Sequence, residues 1–178
     1  MSAMLAIMVG LPGSGKTTIA REMVKAMAPG TAVAISRDDL REAYFGTKIG
    51  LTSDQENEIT ALQHSQIEKA LTRGLKVVVH DCNLRMQYRK QLTAIADRLS
   101  VEWDQIDLSA VPLSVCLERN SRRVHPVPEE VIKGMWTRYI HPLKGERMPE
   151  PTRKVVDLPV PRELYVPDTT KPKAVIVD

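Results

Sequence analysis

The stretch GLPGSGKTT, residues 10–18, decides the fold of this 178-residue chain. An apolar run at residues 5–9 precedes it, and apolar residues recur at helical spacing after it. Glycines let backbone N–H groups turn inward around an anion, and the N-terminus of the following helix adds partial positive charge. The pattern G-x-x-x-x-G-K-[ST] between a strand and a helix therefore predicts a loop that cradles the phosphates of a nucleoside triphosphate.

Each polar side chain of this loop has an expected partner. Lys16 is predicted to reach the β- and γ-phosphates, and Thr17 to offer its hydroxyl to Mg²⁺. The expected phosphoryl donor is therefore ATP or another nucleoside triphosphate, with Mg²⁺ as the metal. The loop residues expected to bind the donor are Gly10, Gly13, Ser14, Gly15, Lys16, Thr17 and Thr18.

Short apolar runs and helical patterns alternate along the rest of the chain. The predicted strands are residues 5–9, 32–35, 76–81 and 101–108. Strands that alternate with helices favour a parallel sheet covered on both faces. The sequence therefore predicts an α/β fold, a P-loop NTPase-type parallel sheet of about four strands flanked by helices.

The composition changes after residue 139. Seven of the 12 prolines lie in residues 141–178, a density typical of a linker or a surface tail. We therefore expect a P-loop kinase domain at residues 1–140 and a proline-rich linker or tail at 141–178. The last eight residues, KPKAVIVD, end the chain on a short apolar run that resembles the start of a strand.

Two acidic residues follow predicted strands, where ligands bind in open α/β sheets. Asp38 follows the second strand and is expected to accept a proton from an attacking hydroxyl. Arg41, three residues on, shares its helix face, and the pair suits an acceptor with both a hydroxyl and a phosphate. Asp81 ends the third strand and is predicted to hold Mg²⁺ through water or to line the acceptor groove. The alternatives are a helix N-terminal acid for Asp38 and a turn residue for Asp81. His80 is assigned no role, because strand alternation turns it away from Asp81.

Arginines cluster at the end of the fifth predicted helix, in RNSRR, residues 119–123. Arg119 and Arg123 lie four apart on one face, just before the loop VHPVP, and are predicted to form a lid over the triphosphate. One arginine in such a position can accelerate phosphoryl transfer by about 10³–10⁵. The alternative, a solvated basic helix end, fits Arg122.

Together, GLPGSGKTT, SRDDLR, HDCNL and RNSRRVHPVPEEVIKGMW resemble the kinase domain of the phage-type polynucleotide 5′-kinase/3′-phosphatase, over residues 4–140. The resemblance implies transfer of the γ-phosphoryl group of ATP to 5′-hydroxyl ends of DNA or RNA, as in nucleic-acid end repair. It implies that Asp38 is the general base and that Arg41 binds the acceptor's 3′-phosphate. It also implies that Arg123 contacts the donor phosphates, that Asp81 lies near the acceptor and that Val127 packs against the terminal base.

The resemblance extends to the end of the chain. In the bifunctional family a phosphatase follows the kinase and opens with an apolar strand and a nucleophilic aspartate. KPKAVIVD resembles that opening, so we expect a kinase portion of a longer protein, without 3′-phosphatase activity of its own. The resemblance also suggests homo-oligomers. The chain departs from the family at Cys82, where the family pattern has threonine.

Composition leaves other functions open. The net charge of +3 is too small to indicate nucleic-acid binding, and no apolar run reaches the length of a membrane span. With no signal peptide in the N-terminal sequence, we expect no membrane association and a cytoplasmic location. The two cysteines form no metal-binding pattern. The competing interpretations are a P-loop kinase of a small metabolite and a non-catalytic nucleotide-binding module.

Overall fold

A computed structural model describes residues 3–141 of the chain. Its strands are β1 (Met4–Val9), β2 (Ala32–Ile35), β3 (Lys76–Val79) and β4 (Glu102–Asp107). Its helices are α1 (Lys16–Lys25), α2 (Arg37–Phe45), α3 (Ser53–Thr72), α4 (Met86–Arg98), α5 (Leu113–Ser121) and α6 (Glu129–Tyr139). The predicted linker or tail, apart from His141, lies outside the described residues.

The four strands form one parallel sheet in the order β2-β3-β1-β4, which confirms the predicted α/β fold. Because all strands run in the same direction, their carboxyl ends meet at one edge. The phosphate loop, the start of α2 and the segment after β3 all leave from that edge. Sequence-distant polar residues are therefore brought together there.

Helices cover both faces of the sheet. Strand β1 lies at its centre and is buried along its whole length. Leu5 and Ile7 belong to one core cluster with residues of α3 and α4, whereas Ala6 and Met8 belong to another with residues of α1 and α6. This alternation follows the two-residue period of a strand and explains why β1 is apolar throughout.

The third strand is shorter than predicted. It ends at Val79 rather than at residue 81, so His80 and Asp81 lie in the connection to α4. The alternation that assigned His80 to the face opposite Asp81 does not apply outside the strand. Within residues 3–141, no helix combines the length and the apolar composition that a membrane span requires.

Candidate active site

The N-terminus of α1 differs from those of the next two helices. Helix α1 begins after Gly15 with no side-chain cap and no acidic residue in its first turn. In contrast, Ser36 caps α2 and Thr52 caps α3, and both helices have acidic first turns. The first N–H groups of a helix have no partner within it. At α1 these N–H groups and the helix dipole are therefore available to bind an anion.

The ammonium group of Lys16 lies within the phosphate loop. Lys16 is 7% exposed, and its Nζ donates to the carbonyl oxygens of Gly10 at 3.0 Å and Leu11 at 2.7 Å. The hydroxyl of the buried Ser14 is 3.4 Å from the same nitrogen. A phosphate bound in the loop would compete with these oxygens for the Lys16 charge.

Gly13 joins the phosphate loop to helix α5. Its φ angle is +85°, and a Cβ atom at this position would lie 2.2 Å from the carbonyl oxygen of Cys116 in α5. Only glycine permits both the backbone conformation and this approach. The contact brings the end of α5 to the loop, and a Cβ on Gly15 would lie 3.8 Å from the guanidinium of Arg119.

A cavity of about 250 Å³ lies at this junction. Its walls combine loop backbone with three positively charged side chains. The lining residues are Gly13, Gly15, Lys16, Thr17, Thr18, Arg119 and Arg123. Arg122 instead pairs with Glu118 on the surface at 2.5 Å. The arrangement suits a polyanion, because backbone N–H groups, a lysine and two arginines surround one space.

His80 connects the phosphate loop to α2. Its Nδ1 lies 3.4 Å from the Thr17 hydroxyl, and its Nε2 lies 3.5 Å from the carboxylate of Asp39. Burial lowers the pKa of His80, although the charge of Asp39 raises it, so the ring is neutral near pH 7. With Nε2–H toward Asp39, Nδ1 accepts the Thr17 proton and leaves that oxygen's lone pairs available. A hydroxyl oxygen so oriented is the kind of ligand that Mg²⁺ takes.

Asp38 and Arg41 lie together, as predicted, but they have a third partner. The Asp38 carboxylate is 64% exposed and accepts a bond from Arg41 Nη1 at 2.5 Å. Arg41 also donates to both oxygens of Glu56 in α3, from Nε at 2.9 Å and from Nη2 at 2.8 Å. Burial alone would lower the pKa of Arg41, but Glu56 and Asp38 outweigh it and raise the pKa. Sequence reasoning missed Glu56, because no local pattern links it to α2.

Asp81 is bonded on both oxygens. It accepts from the backbone N–H of Arg37 at 2.9 Å and from the side-chain amide of Gln63 at 2.5 Å. The carboxylate thus fastens the first turn of α2 to α3, close to Asp38. A carboxylate at this helix N-terminus also interacts favourably with the dipole.

Val127 lies in the loop between α5 and α6. Its backbone N–H donates to the side-chain oxygen of Asn120 at 3.0 Å, and its carbonyl accepts from the Asn120 amide at 2.8 Å. The half-buried Val127 side chain packs against the core cluster beside α6. Asn120 is buried in the basic segment RNSRR, and its uncharged amide among arginines is the signal that sequence reasoning overlooked.

Comparison with known proteins agrees with this geometry. A family model described as "AAA domain" matches residues 5–142, which include all ten elements except the first residue of β1. The chain belongs to this P-loop family. The P-loop kinase fold of this chain implies a nucleotide as the phosphoryl donor, usually with Mg²⁺.

Relatives of this P-loop kinase chain include proteins named for RNA or polynucleotide substrates. The L-seryl-tRNA(Sec) kinase of Methanococcus maripaludis is 32% identical over 141 residues, 78% of this chain and 53% of the relative. A protein of Autographa californica nuclear polyhedrosis virus carries the provisional name bifunctional polynucleotide kinase/RNA ligase. It is 28% identical over 153 residues, 78% of this chain and 21% of the relative. The chain thus spans about half or less of these relatives.

Among solved structures, a chain of the Pnkp1/Rnl/Hen1 RNA repair complex has the same fold. It superposes with a TM-score of 0.67 at 20% identity, over 75% of this chain and 43% of that chain. At this identity the likeness supports the architecture described above. It does not by itself identify the acceptor of the phosphoryl group.

Proposed function

We propose that this chain is a polynucleotide 5′-hydroxyl kinase, which transfers the γ-phosphoryl group of ATP to the 5′-hydroxyl end of DNA or RNA. The observation that carries the proposal is the exposed carboxylate of Asp38, paired with Arg41, at the same sheet edge as the phosphate loop. His80 links the two, since it lies against Thr17 of the loop and against Asp39 beside Asp38. The pair offers a proton acceptor and a phosphate-binding group.

On the donor side, the chain supplies cations and backbone donors. Lys16 exchanges its bonds to the loop oxygens for the β- and γ-phosphates, and Arg119 and Arg123 contact the phosphates from the α5 side of the cavity. Thr17 would hold Mg²⁺, which neutralises charge on the phosphates when bound. Such fixed charges stabilise the transferring group without reorganisation during the reaction.

On the acceptor side, Asp38 accepts the proton of the 5′-hydroxyl as the oxygen attacks the γ-phosphorus, and the bond from that phosphorus to the bridging oxygen breaks to release ADP. Arg41, held by Glu56, turns from Asp38 toward the 3′-phosphate of the terminal nucleotide, which leaves the Asp38 carboxylate free to act as a base. Val127 packs against the terminal base, and Asp81 keeps α2 and α3 in register around the site.

The names of the relatives support a nucleic-acid acceptor. One is a kinase of an aminoacyl-tRNA and the other is named for polynucleotide phosphorylation. We further propose that residues 1–140 form the kinase domain and that residues 141–178 form a proline-rich linker or tail. Cytoplasmic location and homo-oligomers remain predictions.

The test is transfer of label from [γ-³²P]ATP with Mg²⁺ to 5′-hydroxyl RNA and DNA strands, with the same strands bearing a 5′-phosphate as the control. We expect label only on the 5′-hydroxyl strands. Failure to label them, with transfer to a small hydroxyl metabolite, would refute the proposal. ATP binding without transfer to any acceptor would support the nucleotide-binding module instead.

Asp38→Asn tests the proposed base. We expect kcat to fall by a factor of about 10²–10⁴, the usual contribution of a general base. ATP affinity, measured by the ligand-induced rise in Tm, should stay the same because Asp38 does not line the donor cavity. A variant that retains wild-type kcat would exclude Asp38 as the base.

A further inference from the structure

A second groove, of about 360 Å³, lies beside the candidate acceptor site. It runs between the first turn of α4 and the last turns of α6, and three arginines and two tyrosines are among the residues that line it. These are Arg37, Arg85, Arg138, Tyr88 and Tyr139. The volume falls within the about 300–1,000 Å³ of pockets that bind small ligands. None of the functional residues predicted from the sequence is among the residues that line it.

The arginines and tyrosines of this groove stack on one another. The guanidinium of Arg37 lies 5.0 Å from the ring centroid of Tyr88, and that of Arg85 lies 5.9 Å from the same ring. Arg85 also donates from Nε to the Tyr139 hydroxyl at 2.9 Å, and Arg138 lies 5.5 Å from the Tyr139 ring. Each guanidinium therefore lies within cation–π distance of a tyrosine ring.

Their positive charges are not neutralised within the described part of the chain. Elsewhere arginines pair with carboxylates, as in Arg41 with Glu56 and Arg98 with Glu68. Within residues 3–141, none of the three groove arginines forms an ion pair, and no acidic residue lines the groove. Positive charge beside half-buried tyrosine rings suits a ligand that has both phosphates and flat bases.

The groove meets the acceptor site at the start of α2. Arg37 precedes the proposed base Asp38, and its backbone N–H is bonded to Asp81 at 2.9 Å. Its side chain points toward Tyr88, into the groove. A single-stranded polynucleotide whose 5′ end lies at Asp38 would therefore place its next nucleotides in the groove.

We propose that this arginine–tyrosine groove binds the nucleotides that follow the acceptor's terminal nucleotide in a single-stranded polynucleotide. Arg85 and Arg138 contact the phosphodiester backbone, and Tyr88 or Tyr139 stacks against a base. This inference rests on the proposed kinase function and adds that the acceptor is recognised beyond its terminal nucleotide. A nucleoside 3′-phosphate would fill the acceptor site alone, whereas a hexanucleotide would occupy the groove as well.

The experiment compares kcat/KM for these two acceptors in the wild type and in Arg138→Ala. The wild type should prefer the hexanucleotide by at least about fivefold, as expected for one stacked base worth about 1 kcal/mol or more. Arg138→Ala should lower that preference severalfold. It should also reduce the slope of log(kcat/KM) against log[salt] for the hexanucleotide by about 0.7, the value for one lost phosphate contact on a single strand. A purely structural effect would not change the salt slope.

Arg73→Ala is the matched control. Arg73 is exposed at the end of α3, just before β3, and therefore lies at the opposite edge of the sheet. It should keep both the wild-type preference and the wild-type salt slope. Equal kcat/KM for the two acceptors, or an Arg138→Ala variant with wild-type preference and slope, would overturn the groove proposal while leaving the kinase proposal intact. If the wild type labels no oligonucleotide at all, the kinase proposal fails, and the groove proposal fails with it.

Discussion

Glu56→Gln tests whether the contact between α2 and α3 organises the acceptor site. The Glu56 carboxylate accepts two bonds from Arg41, at 2.9 and 2.8 Å. A glutamine side chain keeps the shape but has one acceptor oxygen, and its NH₂ group would face the guanidinium. The variant therefore loses the negative charge and one of the two bonds.

The size of the effect follows from burial. The side chain of Arg41 is 14% exposed and that of Glu56 is 37% exposed, so the pair is only partly desolvated. Removing one partner of a fully buried pair costs about 3–5 kcal/mol, whereas an exposed pair contributes about 0.2–1 kcal/mol. We therefore expect a loss of about 1–2 kcal/mol in the free energy of unfolding. For a chain of this size, that corresponds to a fall in Tm of about 2–8 °C.

The activity should change with the stability. Without Glu56, Arg41 has only Asp38 as a partner, so the guanidinium is drawn toward the proposed base and away from the acceptor phosphate. We expect this displacement of Arg41 to weaken its interaction with the acceptor by a similar amount, about 1–2 kcal/mol. That loss corresponds to a fall in kcat/KM for the acceptor by a factor of about 5–30. The KM for ATP should not change, since Glu56 does not line the donor cavity.

The assay combines thermal unfolding with acceptor kinetics on a 5′-hydroxyl oligonucleotide. Glu58→Gln is the control, because Glu58 is exposed on the same helix and its substitution removes the same negative charge. It should behave as the wild type in both measurements. If Glu56→Gln matches Glu58→Gln in Tm and in acceptor kcat/KM, the reasoning is refuted.

Two further predictions concern the phosphate loop and the pH dependence of stability. Gly13→Ala should weaken ATP binding more than tenfold in a thermal-shift titration, because its Cβ would meet the carbonyl of Cys116 at 2.2 Å. Gly30 has a similar positive φ, but a Cβ built there would have no atom within 4 Å, so Gly30→Ala is the control. Equal ATP affinity in the two variants would contradict the prediction. Burial lowers the pKa of His64 below 6.5, so the unfolded chain binds a proton that the folded chain does not. The contribution of His64 to the free energy of unfolding should fall as pH drops below about 6.5, by at most about 1.4 kcal/mol per pH unit, and His80, whose pKa burial also lowers, adds a contribution of the same sign. His64→Gln should reduce this slope, and an unchanged slope would exclude His64 as its source.

The features that sequence reasoning predicted well depend on local contacts. Ser36 stands three residues before Asp39, the spacing of a helix cap, and its hydroxyl accepts from the backbone N–H of Asp39. The phosphate loop likewise depends on glycines and a lysine that lie within residues 10–17. Such contacts require no knowledge of packing, so the residue types and their spacing suffice.

The features that sequence reasoning missed join distant segments. His80 reaches Thr17 across 63 positions, and Glu56 reaches Arg41 across 15 positions from a different helix. His80 was assigned no role from its position in the strand, but its buried ring lies between Thr17 and Asp39. No periodicity along one segment can indicate a contact that arises only when two elements pack at the same sheet edge.

The sequence by itself determined the phosphate loop, the order of strands and helices, and the nearness of Asp38 to Arg41. These follow from local spacing and from the parallel direction that alternating strands and helices impose. Only the tertiary structure decided which charges are neutralised. It pairs Arg41 with Glu56, engages both oxygens of Asp81, and leaves Arg85 and Arg138 without a carboxylate partner within residues 3–141. The physical reason is that the electrostatic interaction energy of a charged side chain depends on the neighbouring charges and on its burial. Both are set by elements that lie far apart in the sequence.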